Sequence, residues 1–146
     1  MRNIKIVQNY SVLIMIIMYI LNVAPRTNAM KVVGVDNLFC ADEKAGLFVG
    51  HTEAICPGSL ASHNAVRLVM GLPLLILPSS IAIGDIIAFD NEKAATREGR
   101  TDRYTFAGAS YFKRIHDLGL YTTDIEEIGK RVNKIDLDNI FEQKLV

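Results

Sequence analysis

LVMGLPLLILPSSIAIGDIIAF, residues 68–89, decides the fold class, because it reads in two ways. Fifteen of its 22 residues are Ala, Val, Ile, Leu, Met or Phe. As one helix it is about 33 Å long, enough to cross the hydrocarbon core of a bilayer. Its twelve Leu, Ile, Val and Phe residues favour insertion by about 4–7 kcal/mol in sum, against about 2.5–3.5 kcal/mol for one mid-membrane aspartate such as Asp85. In the second reading Pro73 and Pro78 cut the stretch into short pieces. LLIL (74–77) and SIAIGDIIAF (80–89) are then buried strands of a folded core.

The flanking charges favour the span. Arg67 precedes the segment, and no other basic residue occurs back to Lys44. Lys93, Arg97, Arg100 and Arg103 follow it closely. The excess of basic residues places the C-terminal side in the cytoplasm. These five residues are therefore the expected determinants of topology, and Asp85 is expected to reach the headgroup zone or to pair with a basic side chain near that end.

The N-terminus leads to the same orientation. In MRNIKIVQNYSVLIMIIMYILNVAPRTNAM, Arg2 and Lys5 form a positive start and Val12–Leu21 an unbroken apolar run. Thr27 and Ala29 supply small residues at the positions of a cleavage site, the tripartite pattern of a secretory signal. Ten helical residues reach only about 15 Å, half of what a span needs. An alternative start at Met30, which opens MKVVGVDNLF, stays open.

In an exported chain the two cysteines meet an oxidising compartment, and two cysteines allow a single intrachain pairing. A Cys40–Cys56 disulfide closing CADEKAGLFVGHTEAIC is expected to contribute about 3 kcal/mol. Gly46 and Gly50 around Leu47–Val49 suggest a turn, a short strand and a second turn. His51-Thr52-Glu53 matches half of a zinc deaminase signature, but the P-C-x-x-C half is missing. Cys40, His51, Cys56 and His63 lack the paired short spacings of a structural zinc site. The two histidines read as ordinary loop residues.

From Asp90 onward the chain is strongly charged, with 10 basic and 11 acidic residues. Asp90–Asp102 reads as a connector and Arg103–Phe106 as a short strand. Helical periodicity starts at Ala109, with Phe112, Ile115 and Leu118 on one face and Gly119 as a stop. Thr123 and Glu126 form a capping box ahead of an apolar stripe, Ile125, Ile128, Val132 and Ile135. Asp136 is expected to open a last short helix carrying Leu137, Ile140, Phe141 and Leu145.

The turn DLGLYTTDIEEIGKRV (117–132) resembles the helix-turn-helix of phage repressors, with Leu118, Gly119, Leu120, Ile125 and Ile128 at its apolar and glycine positions. That resemblance implies a second helix in the major groove. The helix would, however, present Asp124, Glu126 and Glu127 to phosphates. A plain helical hairpin explains the same residues, its acids favourably placed at a helix N-terminus. The overall balance of 16 basic and 16 acidic residues likewise argues against a general polyanion binder.

These readings describe a small α+β domain with a mainly helical C-terminal part, a signal peptide and a single span, or else a buried core at 68–89. Four regions follow: a signal peptide at 1–29, a disulfide-stapled extracytoplasmic segment at 30–67, the apolar segment at 68–89 and a charged helical tail at 90–146. The expected function is that of a small non-enzymatic exported, membrane-associated envelope protein. Its partners would be membrane lipid and an unidentified protein. The competing readings are a soluble secreted or periplasmic binding protein with 68–89 as its core, and an enzyme of unknown type. No catalytic, cofactor or metal residue stands out, and no cofactor is expected.

Overall fold

The chain's fate is decided at Gly71. The computed structural model, which describes residues 24–41 and 46–145, runs a helix α1 from His51 to Val69. It ends on Met70 and on Gly71 at φ +71°. Leu72 then donates its N–H back to the Arg67 carbonyl at 2.9 Å, a helix-ending bond that a left-handed glycine makes easy. Pro73 and Pro78 lack the amide hydrogens that a continuing helix needs. The chain therefore stays non-helical until α2, Ala82–Ala94.

Residues 68–89 are thus divided between the end of α1, an irregular link and the first two turns of α2. Among the described residues no helix is long and apolar enough to cross a membrane. This corrects the expected span at 68–89. The strand alternative fails as well. LLIL is irregular and 82–89 is helical. A buried strand there would need a neighbour to satisfy its backbone, whereas a helix satisfies its own.

A short 3₁₀ turn, Gly99–Thr101, follows, then α3 (Ala109–Asp117) and α4 (Ile125–Lys134). The described residues contain no sheet, only isolated bridges: Arg26 with Val32, Lys31 with Phe39, and Phe48 with Tyr104. The fold is therefore helical rather than α+β. The expected strands at 47–49 and 103–106 shrink to one parallel contact, Tyr104 N–H to the Leu47 carbonyl at 2.8 Å and Val49 N–H to the Tyr104 carbonyl at 3.1 Å.

The core collects Met30 from the N-terminal arm, Leu60 from α1, Leu77 from the link, Ile86 and Ile87 from α2 and Tyr111 from α3. Two devices hold the link against it. Asn64, fully buried on α1, accepts from Leu75 N–H at 2.7 Å and donates to the Leu75 carbonyl at 2.8 Å. One amide side chain thereby takes the place of a strand partner. Its Nδ2 also donates to the Ala29 carbonyl at 3.0 Å, which ties in the arm. On the other side Gly84 of α2 presses against the 77–78 backbone. A Cβ at that position would lie 2.1 Å from the Pro78 carbonyl oxygen.

Helix α3 starts at Ala109 and stops at Gly119, φ +65°, as its sequence predicts. Its buried face is Tyr111 and Ile115, not Phe112, Ile115 and Leu118. Phe112 and Leu118 are exposed, and Phe112 packs instead on His116 and Tyr121 at ring distances of 5.0 and 5.1 Å. The cap of α4 is Asp124, one residue after the expected Thr123, and its Oδ1 accepts from the N–H groups of Glu126 and Glu127. Beyond it the expected helix at 136 does not form. Asp136 and Asn139 take positive φ, 50° and 57°, which interrupts helical propagation, and residues 138–142 form turns.

Candidate interaction surface

Helix α4 is held by its polar side. Asp124 caps its first turn, and acids lie in that turn with Arg131 and Lys134 in the last, both favourable to the helix dipole. Arg131 reaches back to the end of α3, donating to the carbonyls of Leu120 at 2.8 Å and Gly119 at 3.1 Å and to Glu127 Oε1 at 2.8 Å. One guanidinium thus closes the C-terminus of α3 and docks α4 beside it.

The apolar side of α4 stays outside. Ile125 is 83% exposed, Ile128 42% and Val132 37%, and no residue of α4 is buried. The 3-4 periodicity expected from the sequence is present, but it marks a face that the described residues do not cover. The helix is thus amphipathic with its apolar stripe in solvent.

Between α3, α4 and the 79–80 turn lies an open cleft of about 680 Å³ whose lining includes Ser79, Ser80, Asp85, Arg114, Arg131 and Lys134. Its main feature is the buried carboxylate of Asp85. Arg114 donates to both its oxygens, Nε to Oδ2 at 2.9 Å and Nη2 to Oδ1 at 2.8 Å. The Tyr111 hydroxyl lies 3.1 Å from Oδ2 and 2.9 Å from the Ala82 carbonyl. The bond to Asp85 raises the Arg114 pKa, while burial and the Asp85 charge raise that of Tyr111. Arg114 also covers the Phe89 ring at 4.6 Å, a cation–π contact. Arg114 and Arg131 are thus engaged within the chain, which leaves the cleft a structural junction.

A second buried pair lies at the far end of α2. Arg26 and Asp90, each 1% exposed at the side chain, meet at 2.9 Å, and Leu47 N–H donates to the other Asp90 oxygen at 2.7 Å. Burial pushes the Asp90 carboxyl up to about 6, although Arg26 and the Leu47 N–H pull the other way. Among the described residues Arg26 Nε and Nη1 have no hydrogen-bond partner. Gly46, at φ +93°, leaves the space the guanidinium occupies, since a Cβ there would fall 1.9 Å from Nη2.

The expected site residues fall as follows. Cys40 and Cys56 are not bonded to each other. Cys56 sits inside α1 and Cys40 in the arm beside Phe39, so helix formation across the second cysteine replaces the expected disulfide loop. Burial and the nearby Glu53 raise the Cys56 thiol pKa. His51 and His63 are helical rather than loop residues. His63 is buried against Phe141, ring to ring at 5.2 Å, with its pKa lowered by burial and by Arg67. Among the described residues no group of His, Cys, Asp or Glu is placed to hold a metal.

With no span at 68–89, the topological role of the basic residues lapses. Arg67 Nε donates to the Pro73 carbonyl at 2.6 Å and Arg100 Nε to the Ala94 carbonyl, each where a helix ends. Lys93 lies over Phe89, Arg103 bonds the Asp102 carbonyl and Arg97 is exposed. Asp85 does pair with a basic side chain, but the partner is Arg114 on α3.

Most of the signal peptide reading, residues 1–23, lies outside the described residues. Residues 24–29 are described and belong to the packing: Arg26 meets Asp90, Asn28 accepts from Asn91 at 2.8 Å and Ala29 is buried. Sequence reasoning missed Arg26, Asn64 and Asp90. The available signal was chemical: carboxylates within an apolar stretch require charged or N–H partners when buried.

No protein-family model matches the chain, and no curated protein or solved structure is detectably similar to it.

Proposed function

We propose that this protein is a small non-enzymatic interaction module whose docking element is the apolar face of α4. The observation that carries the reading is the exposure of Ile125, Ile128 and Val132 on a helix that buries none of its residues. Arg131, on the flank beside Ile128, ties that helix to the end of α3, so the face is presented by a docked helix rather than by a loop.

The test replaces Ile125 and Ile128 by Glu in the full chain. Binding of an apolar fluorescent dye is expected to fall, while helical content and the unfolding midpoint stay unchanged. A large drop in the midpoint with dye binding unaltered would place these residues in an internal core and overturn the reading.

Export remains part of the proposal, supported by Arg2, Lys5 and the Val12–Leu21 run. N-terminal sequencing of the protein from its native source tests it, and a chain still beginning at Met1 rejects it. The same measurement locates the cut. A chain starting at Met30 lacks Arg26 and leaves Asp90 without its guanidinium, whereas one starting at or before Ala24 keeps the pair.

A further inference from the structure

Residues 137–145 are held differently from the rest of the chain. Their backbone hydrogen bonds, Ile140 N–H to the Leu137 carbonyl and Glu142 N–H to the Asn139 carbonyl, are internal. Among the described residues no hydrogen bond or ion pair ties them to a helix. What holds them is side-chain packing. Leu137 lies against the core, and the Phe141 ring stands at right angles to His63 of α1, with centroids 5.2 Å apart and planes at 87°. The segment is thus a strap with apolar fastenings alone.

His63 makes one of those fastenings sensitive to protons. It is buried, and among the described residues its Nε2 has no hydrogen-bond partner. A neutral ring can leave that nitrogen as a bare acceptor. The imidazolium cannot, because both nitrogens then carry hydrogens and a buried charge that needs an acceptor. The charged neighbours supply none. Arg67, one turn further along α1, repels a second cation. The link at 71–81 carries no charge, and the strap's own Asp138, Glu142 and Lys144 are exposed. Burial and Arg67 accordingly lower the His63 pKa from its ordinary value.

We propose that residues 137–145 form a pH-released strap, closed over α1 while the His63 ring beneath Phe141 is neutral and lifted when that ring takes up a proton. Proton and strap compete for His63. The docked ring binds its proton more weakly than the free ring does, so docking is full above the ordinary value of 6.5 and weakens as pH falls below it. Lifting adds the half-buried Leu137 and Ile140 and the His63 ring to the exposed surface. Asp90, pushed up to about 6, titrates in the same range. It is held by Arg26 and the Leu47 N–H, away from the strap, and its proton favours the folded state.

Nitrogen-15 NMR of the full chain, compared at about pH 7.5 and about pH 5, tests this across the range in which histidine titrates. The backbone heteronuclear NOEs of 137–145 are expected to match those of α1 at the higher pH and to fall to those of a mobile segment at the lower. Helical circular dichroism should stay unchanged. The His63 ring should titrate below 6.5, and Phe141→Ala should raise that midpoint and leave the strap mobile at both pH values. Each tenfold loss of docking in acid requires the docked ring's pKa to lie about one unit below that of the free ring. His63→Phe keeps a ring against Phe141 and every other titratable group, and should hold the strap down at the lower pH. A strap still ordered around a protonated His63, a strap mobile at both pH values in the natural chain, or release that persists in His63→Phe overturns the proposal. Should His63→Phe not fold, a ring midpoint that Phe141→Ala leaves unmoved overturns it equally.

Discussion

Arg114 holds Asp85 by both carboxylate oxygens, and so fastens α3 to the first turn of α2. Paired donors on a planar guanidinium are what lysine lacks. Arg114→Lys is therefore expected to behave almost as badly as Arg114→Met, each leaving Asp85 buried with less than its complement. Chemical denaturation should show losses of about 3–5 kcal/mol for the methionine variant. Tyr111→Phe, which removes one neutral donor, should cost about 1–2 kcal/mol.

At the other end of α2, Arg26→Met removes one member of a buried pair and is expected to cost about 3–5 kcal/mol. Asp90→Asn added to that background keeps an acceptor for the Leu47 N–H and removes the stranded charge. The double variant should be more stable than the sum of the two single changes implies. A double-mutant cycle by urea unfolding measures the coupling, and simple additivity would show that the pair does not act as a unit.

The Asp90 carboxyl also makes stability depend on pH. Its folded pKa, about 6, lies above the ordinary value of 3.8. The folded state thus holds this proton more tightly than the unfolded chain does. The stability contributed is full below about 3.8 and is lost as pH rises through about 6. The advantage of the natural chain over Asp90→Asn should accordingly be larger at pH 4 than at pH 7. Unfolding midpoints of both proteins across that range give the answer.

Gly84→Ala tests how α2 is seated. The added methyl would meet the Pro78 and Leu77 carbonyl oxygens, so the helix must shift. A loss of about 1–3 kcal/mol is expected from such overpacking, in contrast to Gly129→Ala, where the open surface leaves only the gain in helix propensity. Thermal unfolding of the two variants should move in opposite directions.

The thiols give a direct chemical check. Non-reducing peptide mapping should yield no Cys40–Cys56 linked peptide, and reducing agent should leave the unfolding midpoint unchanged. Cys56, with its raised pKa, should alkylate more slowly in the folded protein than a cysteine in the unfolded chain, because the thiolate is the reacting form.

The parts of this fold that were legible in the sequence are those encoded within a few residues. The start of α3 at Ala109, its glycine stop at Gly119 and the apolar spacing along α4 are local patterns, and they hold. What covers a face is a tertiary matter: periodicity placed Ile125, Ile128 and Val132 together but said nothing of whether another element lies over them. The 68–89 stretch misled because hydropathy sums over a window, whereas Gly71, Pro73 and Pro78 act on single backbone bonds. Arg26 and Asp90 stand 64 positions apart, where no spacing rule applies.

That separation has a kinetic meaning. Chains are made from the N-terminus, and contacts between distant residues form late because the loop between them must first close. The arm at 24–32 therefore has no docking site until α2 has been synthesised, and Asn64 cannot bond both Ala29 and Leu75 before the link is complete. Throughout that interval the Val12–Leu21 run precedes an arm that is still undocked. On the export reading proposed above, a translocation machinery would meet residues 12–21 before the ion pair that anchors the adjoining residues exists. The long-range closure at Asp90 thus sets a time in synthesis before which the arm at 24–32 stays undocked.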